Sequence, residues 1–350
     1  MQNYIRFQVL NFIQETTNTT TIVLKSLSDK PKTFLPGQFL TLFVDSNGDE
    51  VRFTYSITSL PQELPIIRIT IKNNTNRQSS LLNFIKPGDT IKSIIPLGTF
   101  TITNVEEQKN YFFFGAGSGI TPLFPMIKDT LLNNCESNVF LFYGNKDESD
   151  IIFHKELEQL EAEFQNRFRV NYFLSQSLKN NSYKKGRISK EVVIEQLAVY
   201  NKSLTENADY FVCGPEGMMR SVIEGLKDIK IDSKRIHFEE FSLNVIDYDG
   251  EIELKDRDVI ILLLGERYKI KVEAGKTILQ KAIEENISIP NSCNYGSCGT
   301  CIAKLISGDV MLGSQSAIND NQKENGICLT CVGYPVSDNV VVLYENPFEE

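Results

Sequence analysis

Histidine is scarce in this chain, and positive charge is in deficit. The 350 residues contain two histidines, His154 and His237, and 45 acidic against 36 basic side chains, which gives a net charge of −9. Two isolated histidines exclude a multi-histidine metal site. The acidic balance, with a pI near 5.1, argues against a nucleic-acid-binding surface.

Long apolar stretches are also missing. Residues 1–25 have neither a basic segment nor an apolar core, so we expect no secretory signal there. The longest apolar run, from Val259 to Leu264, is much shorter than the roughly 20 residues that cross a bilayer. We therefore expect no membrane span, and a length of 350 residues suits two or three domains.

Four of the seven cysteines form a pattern near the C-terminus. Cys293, Cys298 and Cys301 have C-x4-C-x2-C spacing, and Cys331 follows after 29 further residues. This is the plant-type ferredoxin spacing for a [2Fe–2S] cluster, in which one loop supplies three thiolates and a distant strand supplies the fourth. The alternatives are a disulfide knot or a zinc site, but zinc sites usually show two separated C-x2-C pairs.

The other three cysteines, Cys135, Cys213 and Cys328, have no framework spacing. An odd remainder of this kind argues for reduced thiols and a cytoplasmic setting. Neither histidine is near the cysteine loop, which excludes a Rieske centre because such a centre needs two histidine ligands.

The first hundred residues consist of short β-rich segments separated by turn signals. Strands are predicted over residues 19–24, 38–44, 54–58 and 66–71, with turns at Pro36-Gly37, Asn47-Gly48 and Pro87-Gly88. The pattern predicts an antiparallel β-barrel domain over residues 1–104. A β-sandwich is the alternative, because the alternation pattern alone does not distinguish the two.

From residue 110 onward, predicted strands and helices alternate. Strands at 111–114, 139–143, 168–174, 210–213 and 236–241 are separated by helices at 121–132, 153–164, 189–199 and 215–228. This alternation predicts a parallel sheet with crossover helices, an α/β Rossmann-like domain over residues 105–243. The polar, acidic residues 244–257 are the predicted linker. Residues 258–350, with a hairpin, a helix at 277–285 and the cysteines, form a predicted small α+β domain.

A glycine-rich turn follows the first strand of the α/β region and opens its first helix. Gly115, Gly117 and Gly119 precede Thr121, and the backbone N–H groups of such a turn suit a pyrophosphate. The spacing is G-x-G-x-G rather than the dinucleotide pattern G-x-G-x-x-G, so a turn without a ligand is the alternative.

Two further motifs are candidates for cofactor contacts. Cys213 and Gly214 end a late parallel strand, where open α/β sheets bind ligands, although a buried structural cysteine is an equally good interpretation. In the barrel region, the segment from Arg52 to Ile57 contains Tyr55 and Ser56, which could contact a flavin. An ordinary alternating strand is the alternative there.

The order of these motifs resembles that of the ferredoxin–NADP reductase superfamily. It runs R-x-x-Y-S, then G-x-G-x-G-x-T-P, then C-G-P, then E-x-F. With a β-grasp-like ferredoxin domain fused at the C-terminus, the chain is similar to the reductases of phenylacetyl-CoA epoxygenase, ketosteroid hydroxylase and hybrid-cluster protein. This resemblance covers nearly all of residues 5–345.

The resemblance implies an electron-transfer enzyme. NADPH or NADH would reduce FAD, and FAD would pass electrons singly to the [2Fe–2S] cluster. The final acceptor would be a partner protein, namely an oxygenase, a desaturase or a hybrid-cluster protein. The alternative is a non-enzymatic redox sensor or electron carrier that uses the ferredoxin domain on a degenerate reductase.

The resemblance also assigns roles to individual residues. For FAD it implies contacts from the barrel and from the E-x-F end, at Arg52, Tyr55, Ser56, Thr70, Lys72, Ser79 and Phe241. For NAD(P)H it implies the glycine turn and the strand ends, at Gly115, Gly117, Gly119, Thr121 and Gly214. Cys213 and Glu239 are the catalytic candidates, and the four motif cysteines are the cluster ligands.

The sequence departs from the family pattern at Phe53. The family has R-x-Y-S, which would place arginine at 53, whereas here the arginine is Arg52. Adjacent residues of a strand face opposite sides, so Arg52 needs a bulge to reach the FAD pyrophosphate. The preference between NADH and NADPH also stays open, because Lys146 lies beside two acids and Gln176 is neutral.

Overall fold

The computed structural model describes residues 4–28, 30–46, 49–73, 80–102, 109–176, 183–241, 254–291, 294, 296, 299–313, 318 and 320–344. The chain forms two compact units, residues 1–240 and 241–350. Within the described ranges, no helix is long and apolar enough to cross a membrane.

The N-terminal part of the first unit is an antiparallel β-barrel. Its strands are β1 (Ile5–Thr16), β2 (Thr19–Ser26), β3 (Phe39–Ser46), β4 (Asp49–Ser56), β5 (Ile66–Lys72) and β6 (Thr90–Ser93). They follow the order β4-β3-β6-β1-β2-β5, and a bridge between Ile57 and Ile69 joins the end of β4 to β5. Because this bridge closes the sheet on itself, the barrel prediction is confirmed over the sandwich.

Strand β1 was not predicted from the sequence. Its pairing with β2 shifts register between Val9 and Asn11 and again between Gln14 and Thr16. Such irregularities break the alternation of inward and outward residues by which a strand is recognised. The predicted turn at Asn47-Gly48 lies outside the described residues.

The second part of the first unit is a parallel α/β layer structure. Its elements are β7 (Asn110–Ala116), α1 (Ile120–Asn133), β8 (Val139–Asn145), α2 (His154–Glu163), β9 (Phe168–Leu174), β10 (Lys184–Lys185), α3 (Lys190–Ala198), α4 (Lys202–Glu206), β11 (Ala208–Cys213), α5 (Glu216–Asp228) and β12 (Ile236–Glu239). Aromatic residues of the sheet, such as Phe112 and Phe142, pack against Val193 of α3 and Val222 of α5.

The strand order of this sheet defines where a ligand can bind. The order is β10-β9-β8-β7-β11-β12, so the chain moves outward from β7 to β10 and then returns to the other side of β7. The topological switch point therefore lies between β7 and β11. Open α/β sheets bind their ligands in the crevice at the carboxyl ends of the strands at this point.

The described part of the second unit contains a five-stranded mixed sheet, a separate two-stranded sheet and two short helices. Its elements are β13 (Arg257–Leu263), β14 (Glu266–Val272), α6 (Ile278–Glu284), β15 (Ile302–Ser307), β16 (Val310–Leu312), α7 (Asp320–Glu324), β17 (Ile327–Leu329), β18 (Gly333–Pro335) and β19 (Val340–Tyr344). The main sheet has the order β14-β13-β19-β15-β17, in which β13 and β19 are parallel and the other pairs antiparallel. Ile278 and Leu279 of α6 join its core.

Only some of the predicted domain boundaries fall within the described residues. The boundary at residue 104 and most of the predicted linker lie outside the described residues, which omit 103–108 and 242–253. Strand β13 begins at Arg257, one residue inside the predicted linker. The predicted hairpin is present, and its turn is formed by Leu264 and Gly265, both with positive φ.

Candidate functional site

The glycine turn and the Cys213-Gly214 motif lie side by side across the switch point. Gly115 on β7 pairs in register with Cys213 on β11, and Cys213 pairs in turn with Glu239 on β12. A Cβ atom on Gly119 would lie 2.0 Å from the carbonyl oxygen of Cys213. The two motifs therefore touch through their backbones, and residue 119 has no space for a side chain.

Contacts on both sides hold the glycine turn in place. The Thr121 hydroxyl donates to the Ser118 carbonyl at 2.9 Å, and the Tyr143 hydroxyl donates to the Gly117 carbonyl at 3.0 Å. Gly117 has φ +54, in the left-handed region that favours glycine. Helix α1 begins directly after the turn, so its positive N-terminal end lies at the carboxyl edge of the sheet, where it suits a pyrophosphate.

Cys213 is fully buried at this edge. Burial raises the pKa of its thiol well above the ordinary value, and the nearby carboxylates of Glu239 and Glu240 raise it further. Cys213 is therefore a protonated thiol, not a thiolate nucleophile. It offers a small, neutral surface beside the glycines. Glu239, the other catalytic candidate, is also buried.

The side chain of Lys72, at the end of strand β5 of the barrel, lies next to the glycine turn. Its ammonium nitrogen lies 3.6 Å from the position that a Cβ on Gly117 would occupy. The neighbouring Thr70 has its hydroxyl 2.8 Å from the Thr21 hydroxyl and 3.3 Å from that of Thr58, within the barrel wall. Lys72 is therefore a cation at the turn, whereas the Thr70 side chain is engaged inside the barrel.

The structure does not bring Arg52 to Tyr55. The pairing of β3 with β4 runs without a register shift, so there is no bulge to turn Arg52 around. Phe53 and Tyr55 share one face, with parallel rings 6.4 Å apart. Arg52 faces the other side, and its guanidinium lies 5.3 Å from the centre of the Phe43 ring.

Three other predicted flavin contacts lie in different parts of the chain. Ser56 is buried at the end of β4, next to the bridge that closes the barrel. Phe241 is half-buried and directly follows residue 240, where the first unit ends. Ser79 lies outside the described residues.

In the second unit, two of the four motif cysteines are described. Cys301 and Cys331 are both buried, and their sulfur atoms are 3.1 Å apart. A disulfide would need about 2.05 Å, so these are converging thiols without a bond. Gly296 and Gly299 in the loop have positive φ, which lets the backbone turn tightly. The pair fits part of a thiolate metal centre.

Cys293 and Cys298 lie outside the described residues, and within the described part no group of three metal-ligating side chains is found. Cys328 is a further buried thiol in this core. Burial, with a contribution from Cys301, raises the pKa of Cys328 to about 12. Cys328 is therefore protonated.

Sequence reasoning missed two polar residues beside these cysteines, Thr330 and Tyr344. Their hydroxyl oxygens are 2.6 Å apart, and the Thr330 hydroxyl donates to the Cys301 carbonyl at 3.2 Å. No spacing signal in the sequence links Tyr344 to the cysteine motif, because the contact depends on the packing of β19 against β15.

Two family models match this chain, one in a segment of each unit. A family model described as an oxidoreductase NAD-binding domain matches residues 113–224, and one described as a 2Fe-2S iron-sulfur cluster binding domain matches residues 261–336. The chain is 29% identical to the ferredoxin reductase component of 3-ketosteroid-9-alpha-monooxygenase from Rhodococcus rhodochrous, with 94% of each chain covered. It is also 29% identical to one subunit of the 1,2-phenylacetyl-CoA epoxidase of Escherichia coli, with 89% of each chain covered.

The fold resembles that of a solved reductase over its full length. Phthalate dioxygenase reductase, whose structure is described as modular for electron transfer from pyridine nucleotides to [2Fe-2S], matches with a TM-score of 0.62. The identity is 20%, and 98% of each chain is covered. This likeness is one of fold.

Proposed function

We infer that this chain is a member of the ferredoxin–NADP reductase superfamily with a fused C-terminal [2Fe–2S] domain, and that it is an NAD(P)H-dependent reductase component. The observation that carries this conclusion is the contact of the glycine turn with Cys213-Gly214 at the switch point of the parallel sheet. A bound flavin would supply a ring that can accept a hydride from NAD(P)H, and a bound cluster would supply one-electron transfer.

The residues of the crevice have distinct tasks in this proposal. The Gly117–Gly119 backbone and the N-terminus of α1 bind the pyrophosphate of NAD(P)H, and Lys72 adds a positive charge on the barrel side. Cys213, a buried and protonated thiol, leaves room for a flat ring without introducing a charge. Tyr55 and Ser56 at the end of β4 are the proposed FAD contacts.

We propose an oxygenase as the electron acceptor. Support comes from the relatives, which are named as components of a ketosteroid monooxygenase and a phenylacetyl-CoA epoxidase. The charge of residues 258–350, with 12 acidic and 7 basic side chains, suits an acceptor with a basic surface. Several of those bases are already paired, for example Lys269 with Asp258 at 2.7 Å and Lys276 with Glu284 at 2.7 Å.

The test is an anaerobic reduction of the purified protein. We expect a bound flavin and two irons per chain, and we expect NADH or NADPH to reduce the flavin first and the cluster second, followed by absorbance and by EPR. Parallel initial rates with both nucleotides give the cofactor preference. A protein with full iron but no flavin would support the carrier alternative instead. Full flavin and iron without reduction by either nucleotide would refute the proposal.

A further inference from the structure

Two hydroxyl groups form a buried pair next to the cysteines of the second unit. Tyr344 on β19 and Thr330, which directly precedes Cys331, are 5% and 0% exposed, and their hydroxyl oxygens are 2.6 Å apart. The backbone N–H and the hydroxyl of Thr330 both donate to the Cys301 carbonyl, each at 3.2 Å. Thr330 thus joins the segment of one predicted cluster ligand to that of another.

The direction of the hydrogen bonds follows from the number of protons. Thr330 has one hydroxyl proton and donates it to the Cys301 carbonyl, so its oxygen must accept from Tyr344. Burial raises the pKa of the Tyr344 phenol well above its usual value, and that group keeps its proton. The two O–H groups therefore form a relay, in which Tyr344 donates to the Thr330 oxygen and Thr330 donates to the Cys301 carbonyl oxygen.

Packing alone does not require a hydroxyl at residue 344. Val340 and Val342 on the same face of β19 fill the core with apolar groups, and a phenylalanine ring would occupy the place of the Tyr344 ring. A buried hydroxyl is destabilising unless it is hydrogen-bonded. The hydroxyl of Tyr344 is hydrogen-bonded to that of Thr330. The hydroxyl therefore stabilises the polar pair, whereas the ring of Tyr344 packs in the apolar core.

We propose that Thr330 and Tyr344 are positioning residues for the [2Fe–2S] centre, holding the Cys301 backbone against the Cys331 segment and raising the reduction potential of the centre. Hydrogen bonds around the ligands and the field of nearby dipoles tune such potentials. Positive dipole ends favour the reduced form because that form carries more negative charge. The inference rests on the proposed function, since it assumes that Cys301 and Cys331 ligate the cluster.

The test is the reduction potential of Tyr344→Phe in the full-length holoprotein, measured by mediated redox titration and followed by EPR. We expect full iron content and a potential more negative than in the wild type. At a fixed solution potential, the oxidised-to-reduced ratio should rise by about three- to tenfold, a tenfold change being about 59 mV for a one-electron couple. Tyr268→Phe is the matched control, because Tyr268 packs on the same core and its hydroxyl lies outside the pair.

A second pair of variants changes Thr330 itself. Thr330→Val removes the hydroxyl but keeps the shape, and it should shift the potential in the same direction as Tyr344→Phe. Thr330→Ser keeps the hydroxyl and should restore the wild-type potential. If Thr330→Val does not incorporate iron, the potential of Tyr344→Phe decides the question.

The outcomes separate this inference from the proposed function. A wild-type potential in Tyr344→Phe, or an equal shift in Tyr268→Phe, would overturn the role of the hydroxyl pair and leave the reductase assignment intact. A wild-type protein that binds no iron would instead overturn the cluster assignment on which both depend.

Discussion

A methyl group added at Gly119 tests whether the crevice at the switch point is the NAD(P)H site. Gly119 has φ −61 and ψ −11, ordinary helical values, so alanine costs nothing in backbone conformation there. The added Cβ would lie 2.0 Å from the Cys213 oxygen, 2.5 Å from its carbonyl carbon and 2.8 Å from the Cα of Gly214. The effect of Gly119→Ala is therefore purely steric, against backbone atoms.

The size of the effect follows from these distances. An ordinary contact begins at 3.4 Å, so the start of α1 and the end of β11 must separate by about 1.4 Å. Overpacking of this kind costs about 1–3 kcal/mol of stability. A displacement of about 1 Å between reacting groups can slow a reaction by about 10²-fold. We expect flavin reduction by NAD(P)H to slow by about 10–100-fold.

Stopped-flow absorbance of the flavin measures that rate, and thermal unfolding of the same sample measures the loss of stability. Gly217→Ala is the matched control, since a Cβ at Gly217 meets nothing within 4 Å. The control should leave the rate unchanged and the stability equal or higher by about 0.4–1 kcal/mol. If Gly119→Ala reduced its flavin at the wild-type rate, the crevice would not be the nucleotide site.

Three other changes test separate parts of the molecule. Cys213→Ala should slow flavin reduction in stopped-flow while flavin stays bound, and a wild-type rate would make Cys213 merely structural. Cys298→Ser should abolish the EPR signal of the reduced cluster but retain NAD(P)H–ferricyanide activity; an unchanged iron content would remove Cys298 from the ligand set. Asp209 concerns pH: burial raises the pKa of its carboxyl, but the His237 ring nitrogen at 3.9 Å and the Lys109 ammonium at 2.9 Å outweigh burial and lower that pKa overall. Its stabilisation is therefore present above the unfolded pKa near 3.9 and is lost as pH falls through the folded value. Asp209→Asn should lower stability at pH 7 by about 1.5–3 kcal/mol, with the difference from wild type shrinking below about pH 4 in denaturant titrations. A difference independent of pH would contradict the role of its charge.

Local pattern in the sequence determined most of the α/β region. The prediction for β9, residues 168–174, matches the strand in the structure, because the alternation of apolar and polar residues from Phe168 to Tyr172 is a property of the chain itself. Cysteine spacing likewise indicated the iron–sulfur domain, since the ligand loop is contiguous. Strand β1 was not predicted, because its two register shifts interrupt the alternation of inward-facing and outward-facing residues.

The neighbours of the site residues were decided by the tertiary structure. Gly119 and Cys213 are far apart in sequence, and only the strand order β8-β7-β11-β12 makes their backbones touch. The pairing of β3 with β4 has no register shift, and it places the Arg52 guanidinium over the Phe43 ring. The motif alone did not determine whether a bulge would turn Arg52 to the other face of the strand. The hydroxyl pair of Thr330 and Tyr344 depends on how β19 lies in the mixed sheet. Sequence pattern specifies what each segment buries, whereas contact between distant segments depends on which strands pair and in which register.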